Sequence, residues 1–271
     1  YKMNGLGNEI LVVDLRGGET TLSGMEAKIM ASVPRMHFDQ LMVLNNPRTD
    51  GTASFVTIYN ADGSESAACG NGTRCIGWIE SQKTGRSELT FETKAGLIDV
   101  VVHDIDHITV DMGEPHFDWR EIPLSEPRED TRSINFPFDR DKEAWIDRPS
   151  VINVGNPHAI FWVHDVETCD LGKYGPLLET HPLFPKRANI SVAEIQSRQK
   201  IKIRTWERGV GLTRACGTAA CAAAVAGMRK LELDRKVVVL LPGGSLEISW
   251  TPSNRILMTG PVILEYEGDW P

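Results

Sequence analysis

The sequence predicts an α+β chain made of two halves with similar grammar. Three observations carry this reading. Short runs of apolar alternation and β-branched residues recur along most of the chain, which is the pattern of half-buried strands. Only two stretches have the composition of clear helices, from Cys69 to about Gln82 and from Cys216 to about Lys230. Each follows the same prelude of a strand, a glycine-bearing loop and then Cys-Gly. Many short strands with few helices favour an α+β architecture.

In the first half, strands are expected at Glu9–Asp14, Leu41–Leu44, Ser54–Tyr59, Leu89–Thr93, Leu97–His103 and His107–Met112. The last two read as a hairpin with an Asp-rich tip. In the second half they are expected at Val151–Val154, Ala159–Val163, Ile190–Ile195, Lys200–Trp206, Val237–Leu241, Leu246–Trp250 and Arg255–Thr259. Shorter helices are expected at Met25–Ala31 and Val166–Leu178, the latter taking in Cys169. Gly113–Arg148 is rich in Pro, Asp, Glu and Arg and reads as a linker or an irregular covering segment. The helix after Cys216 carries Ala219, Ala220, Ala222, Ala223, Ala224, Ala226 and Gly227. Alanine favours helix, and small side chains let neighbours close in on every side, so this helix is expected to be buried and central.

Composition narrows the function classes. With 271 residues, 41% hydrophobic and 24% charged, the chain is an ordinary globular one, not a disordered or fibrous one. It is long enough to bury a core without disulfides. A net charge of −8 argues against nucleic acid as a partner. No apolar run approaches the ~18 residues of a membrane helix. Lys2-Met3-Asn4-Gly5-Leu6-Gly7-Asn8 offers no apolar signal segment. Five cysteines without a CxxC pair suit a reducing compartment, so a cytoplasmic location is expected and zinc-ribbon spacing is absent. His103, Asp104, Asp106 and His107 read as a solvated turn, and no metal is expected. Gly209-Val210-Gly211-Leu212-Thr213-Arg214 has Arg where a dinucleotide motif needs its third glycine.

The two Cys-Gly helix starts are the chemical signal. A cysteine at the first turn of a helix sits near free N–H groups and the positive end of the macrodipole. Both lower its pKa. The following glycine, Gly70 or Gly217, lets a ligand approach the backbone, and Asn71 or Thr218 adds a donor. Such ends bind carboxylates. Two of them, one per half, would place a thiol on each side of a small anion, an arrangement suited to stereoinversion. Packing is the ordinary role of a cysteine, and it is the role expected for Cys75, Cys169 and Cys221. The paired, glycine-flanked placement sets Cys69 and Cys216 apart.

Asn60-Ala61-Asp62-Gly63-Ser64 with Cys69-Gly70-Asn71-Gly72-Thr73-Arg74-Cys75 resembles the first active-site signature of the diaminopimelate epimerase family. Glu207-Arg208-Gly209-Val210-Gly211-Leu212-Thr213-Arg214-Ala215-Cys216-Gly217-Thr218 resembles the second. Lys2–Glu9, Phe38–Leu41, Asn156-Pro157-His158, Arg187-Ala188-Asn189 and Gly260-Pro261-Val262 add matches in order along nearly the whole chain. The resemblance implies two similar domains, each a barrel-like sheet wrapped around a central helix, with the site in the cleft between them. The halves would be 1–114 with the tail 262–271, and 115–261. It implies a cofactor-independent isomerase converting LL- to meso-diaminopimelate on the way to lysine, with no pyridoxal phosphate. Cys69 and Cys216 match the acid/base thiols, with His158 and Glu207 beside them. Asn8, Gln40, Asn60, Asn156, Asn189, Glu207 and Arg208 match substrate-contacting positions. Gly70, Asn71, Gly217 and Thr218 match the backbone-donor turns. The chain departs from the family at Asn4 (usually His), Glu9-Ile10 (usually Asp-Phe) and Ala219 (usually Gly), none of which removes a reacting group.

The expected partner is a small diamino dicarboxylate, with a homodimer as one option for assembly. The competing readings are a proline or hydroxyproline racemase-like isomerase, a thiol redox protein cycling a Cys69–Cys216 disulfide, and a non-catalytic binding protein. The Asn-rich set with Glu207-Arg208 favours a diamino dicarboxylate over proline, because a guanidinium matches the carboxylate of a second amino-acid end, which proline lacks.

Overall fold

The computed structural model describes residues 1–138 and 143–269. Residues 139–142 of the Pro- and Asp-rich stretch and 270–271 of the tail lie outside them. The chain forms two compact units, Tyr1–Asp111 with Thr259–Pro271, and Met112–Met258.

In the first unit, β1 (Lys2–Gly5) and β2 (Asn8–Asp14) form an antiparallel hairpin. Its two-residue turn holds Leu6 at φ 62° and Gly7 at φ 85°, the left-handed backbone that such hairpins demand. The Asn4 carboxamide accepts the Gly7 N–H at 2.6 Å, so this departure from the family pattern caps the turn. Helix α1 (Gly24–Ala31), opened by a Ser23–Glu26 capping box, leads to β3 (Gln40–Asn45), which is parallel to β2. Antiparallel β4 (Phe55–Asn60) and short β5 (Glu65–Ser66) follow. Helix α2 (Gly70–Thr84) comes next and ends on Gly85 in the left-handed region at φ 71°. Then come β6 (Glu88–Thr93), parallel to β4, and the meander β7 (Gly96–Val102) and β8 (Ile108–Asp111).

The second unit repeats this pairing strand for strand. β9 (Ser150–Asn153) and β10 (Pro157–Trp162) form the antiparallel pair. Helix α3 (Leu171–Glu179) leads to β11 (Asn189–Ser197), parallel to β10. Antiparallel β12 (Lys200–Glu207) and short β13 (Gly211–Thr213) precede helix α4 (Gly217–Arg229). β14 (Lys236–Leu241) is parallel to β12, and β15 (Gly244–Trp250) is antiparallel to β14. β16 (Ile256–Gly260) spans the sequence boundary between the units, and β17 (Ile263–Tyr266) returns to pair with β1.

Each unit is therefore a mixed sheet around one helix. Helix α2 is touched by β1, β2, β3, β6, β7 and β8, and α4 by β9, β10, β11, β12, β14 and β15. In α4, residues Ala219 to Val225 are each 0% exposed, which explains its near absence of large side chains. Ala219, where the family pattern has glycine, fits within this helix. The described residues of Gly113–Arg148 form a covering segment and not a spacer. Its Ile122, Leu124, Ile134, Phe136 and Ile146 are buried in one cluster with Phe161, Leu178 and Ile190.

The helix expected at Val166–Leu178 is split. Asp165 caps a 3-10 turn at Val166–Thr168, and α3 begins only at Leu171, capped by Asp170. Cys169 lies between them and is buried, outside either helix. Three strands, β5, β13 and β17, fall outside the expected set, and β1 is expected only from the resemblance of Lys2–Glu9 to the family's N-terminal strand and loop. No helix among the described residues is long and apolar enough to cross a membrane.

Because α4 is closed on every side, Ala223→Leu should lower unfolding free energy by about 2 kcal/mol or more, through overpacking. Guanidinium denaturation measures this. A change below about 0.5 kcal/mol, the usual range for surface sites, would contradict the packing described.

Candidate functional site

Each unit builds a polar cluster around the cysteine that opens its central helix. In the first unit, Cys69 is the N-cap of α2, with φ −148° and ψ 100°. This extended backbone turns its side chain toward the free N–H groups, and Sγ accepts the Gly72 N–H at 3.3 Å. Cys69 is partly buried. Its Sγ lies 3.8 Å from Gln40 Oε1, and Gln40 donates to Asn60 Oδ1 at 3.5 Å. Strand pairing sets this up, because Gln40 stands opposite Asn60 in the β3–β4 register. Asn60 in turn donates to Ser64 Oγ at 3.0 Å. On the other side, Asn71 donates to Asn8 Oδ1 at 3.3 Å, and Asn8 donates to Asp39 Oδ2 at 3.0 Å. Asp39 also accepts the Glu9 N–H at 2.8 Å, so it fixes which way the Asn8 amide faces. Gly72 admits the sulfur of Met42, because a Cβ there would collide with it.

In the second unit, Cys216 is the N-cap of α4, with φ −128° and ψ 107°. It is buried, and its Sγ lies 3.4 Å from Thr218 Oγ1. A chain of contacts leads away from it. Asn156 donates to Thr218 Oγ1 at 3.4 Å, and Asn156 Oδ1 lies 2.7 Å from His158 Nε2. Asn189, beside His158 in the parallel β10–β11 register, donates to the Pro157 carbonyl at 3.1 Å and accepts the Arg208 N–H at 3.0 Å. Both ends of the Asn189 amide are thus engaged. Thr213 donates to Glu207 Oε1 at 2.5 Å. The Arg208 guanidinium is exposed and donates to the Lys186 carbonyl at 3.0 Å.

Charge at this second cluster differs from the expectation drawn from helix ends alone. Burial, and then the Glu207 carboxylate, hold the Cys216 thiol well above the ordinary 9.0. Removal from water penalises a thiolate more than one helix end favours it. Cys216 therefore rests as a thiol. Burial, and then the positive charge of Arg208, bring His158 down to about 3, so its imidazole is neutral at physiological pH. Its Nδ1 is buried with no hydrogen-bond partner among the described residues. Cys75, fully buried inside α2, is pushed up to about 12 by burial, in keeping with a packing role.

The structure thus gathers Asn8, Gln40, Asn60, Cys69, Gly70 and Asn71 in one unit, and Asn156, His158, Asn189, Glu207, Arg208, Cys216, Gly217 and Thr218 in the other. Sequence reasoning missed Asp39 and Thr213. Asp39 lies within a quoted motif, and Thr213 between Glu207 and Cys216, so adjacency was an available signal for both. Among the described residues, no cluster of His, Cys, Asp and Glu could hold a metal ion. His107 pairs with Asp104 at 2.9 Å in its exposed turn.

Comparison with known proteins gives three findings. The family model described as Diaminopimelate epimerase matches residues 1–117 and 150–265. A diaminopimelate epimerase of Methylobacterium sp. (strain 4-46) is 53% identical over 100% of this chain and 94% of its own length. That of Brucella melitensis biotype 1 is 49% identical over 98% of this chain and 88% of its own length. Among solved structures, a predicted epimerase from Pseudomonas aeruginosa matches with TM-score 0.73 and 14% identity, over 100% of this chain and 98% of that one. A hydroxyproline epimerase from Agrobacterium vitis matches with TM-score 0.63 and 13% identity, over 98% and 90%. At these identities the two structures speak to fold alone.

If burial and the Glu207 charge set the state of Cys216, Glu207→Gln should lower its titration midpoint, because removing a neighbouring negative charge favours the thiolate. Alkylation across a pH series, mapped to Cys216 by mass spectrometry, reads the midpoint. A midpoint that stays put or rises would contradict the electrostatic account.

Proposed function

This chain belongs to the diaminopimelate epimerase family, and we propose that it inverts one α-carbon of diaminopimelate, between the LL and meso forms, using Cys69 and Cys216 as a pair of acid/base thiols. The observation that carries this reading is the repeated helix start. Each unit presents a cysteine at the N-cap of its central helix, beside free backbone N–H groups. As an isomerase, the chain acts on a small molecule without net redox change.

In this reading the two clusters act on opposite faces of one carbon. An amino-acid α-hydrogen is very weakly acidic, so the developing negative charge must be stabilised at the carboxylate. The N–H groups at Gly70, Asn71, Gly217 and Thr218 are suited to this, because helix N-termini favour anions. One thiolate removes the proton and the opposite thiol delivers another, so the configuration inverts. Cys216, resting as a thiol, is the proton donor in one direction. In the other it becomes the base, and Glu207 is the neighbouring carboxylate able to take its proton. His158, neutral and hydrogen-bonded to Asn156, orients that amide and adds no charge. Asn8, Gln40 and Asn156 offer donors and acceptors to the reacting amino-acid end. Arg208, with Asn60 and Asn189, holds the distal end, which keeps its configuration.

The test is direct. The purified chain, without added pyridoxal phosphate, should convert LL-diaminopimelate to the meso form on chiral chromatography. Cys69→Ala and Cys216→Ala should each cut turnover by about 10³-fold or more, the scale of a lost general acid or base. Lysine, which lacks the distal carboxylate, should be turned over very poorly. Near-native inversion by either variant would remove the two-thiol assignment, and comparable turnover of lysine would remove that of Arg208. Turnover of proline in place of diaminopimelate would favour the racemase alternative.

A further inference from the structure

We propose that Glu179 is the positioning residue that sets Arg208 and Asn189 for the distal end of the substrate, a role that rests on the assignment of Arg208 to that end. Glu179 is the last residue of α3, outside every motif that the sequence offers. Its side chain is 7% exposed. A carboxylate is expensive to bury unless its lone pairs meet donors, and here they do. Oε2 accepts the Trp206 indole N–H at 2.7 Å, and Oε1 accepts the Gly209 backbone N–H at 3.0 Å. Arg187 Nη1 approaches Oε1 at 3.4 Å. The Glu179 main-chain carbonyl also accepts the Ala188 N–H, at 3.3 Å.

One buried residue therefore ties together the end of β12, the loop beyond it and the chain entering β11. Trp206 and Gly209 flank Glu207 and Arg208 in sequence, and Arg187 and Ala188 immediately precede Asn189. Gly209 sits at φ 76°, a backbone that a side-chain anchor keeps in place. Asn189 closes the arrangement by accepting the Arg208 N–H at 3.0 Å. The Arg208 side chain is exposed apart from its bond to the Lys186 carbonyl at 3.0 Å, so its reach is set by where its own backbone and the Lys186–Arg187 segment are held. Packing alone does not call for a carboxylate at this place. Gly175, one turn earlier in α3, already lets the Trp206 ring pack against the helix, since a Cβ there would lie 2.5 Å from the ring. The Arg187 guanidinium is 59% exposed, so the pair itself adds little stability. Glu207 is held separately by Thr213 at 2.5 Å, which leaves the proton-transfer side of the loop with its own anchor.

Glu179→Gln tests the role with little change in shape. The new amide can accept only one of the two N–H donors, and its NH2 group must face the other. KM for LL-diaminopimelate should rise about tenfold, with kcat within about threefold, as expected when binding and not chemistry is disturbed. In an Arg208→Ala background, where KM is already raised, Glu179→Gln should add less than about twofold, because residues acting through one another are not additive. Trp206→Phe removes one donor and keeps the ring. It should raise KM in the same direction by less, and it reads the same network if the Gln variant fails to fold. The proposal is overturned if neither variant moves KM while Arg208→Ala does, if kcat falls at constant KM, or if the Glu179→Gln effect is undiminished in the Arg208→Ala background. If Arg208→Ala itself leaves KM unchanged, the assignment of Arg208 has failed and the role of Glu179 falls with it.

Discussion

The N-cap position of a buried helix is the constraint on which both clusters depend. A residue there has extended backbone and still faces the unsatisfied N–H groups of the first turn. Cysteine is a poor hydrogen-bonding cap, so its presence at both starts has a cost in helix stability. What it gains is a sulfur beside a backbone anion site. The rest of each unit serves that placement. A central helix can present its first turn reproducibly only if its sides are closed. Strands close them, and small residues on α4 and glycines on α2 let the strands come near.

The duplication of pairing makes the two clusters equivalent in position and unequal in chemistry. Both draw contacts from the start of the third strand and the end of the fourth, Gln40 and Asn60 in one unit and Asn189 and Glu207 in the other. The first unit sets the Gln40 amide beside its thiol, with Asn60 bonded behind it. The second sets a carboxylate, Glu207, beside a buried thiol, with the neutral His158 reached through Thr218 and Asn156. Burial and like charge raise the Cys216 thiol, whereas Cys69 keeps partial access to solvent. The proposed proton-transfer pair needs one member protonated at rest, and the environment of Cys216 favours that state.

Much of this was legible in the sequence, for local reasons. The starts of α2 and α4 are readable to within a residue, because in each half Cys-Gly closes a glycine-bearing loop that follows a strand. β1 is legible only through the family resemblance, since Lys2-Met3-Asn4-Gly5 shows no alternation of its own and the strand forms by pairing with β2 and β17. The start of α3 is not legible in the sequence because Asp165 and Asp170 are both good caps, the first capping a 3-10 turn and the second the continuous helix. The lowering of thiol pKa expected from a helix end was overridden at Cys216, because burial and the charge of Glu207 are properties of the folded unit. Asp39, Thr213 and Glu179 make their contacts with partners distant or unremarkable in sequence, so pattern alone gives them no weight.

The central claim is that inversion uses two different thiols, so the hydrogen removed is not the one returned. The most direct measurement is the isotope content of the first product formed from pure LL-diaminopimelate in heavy water. The account predicts meso product carrying deuterium at the inverted carbon, while unreacted LL substrate stays mostly protiated, because the donor thiol has exchanged with solvent before catalysis. Early product that retains the original hydrogen at the inverted carbon would contradict it.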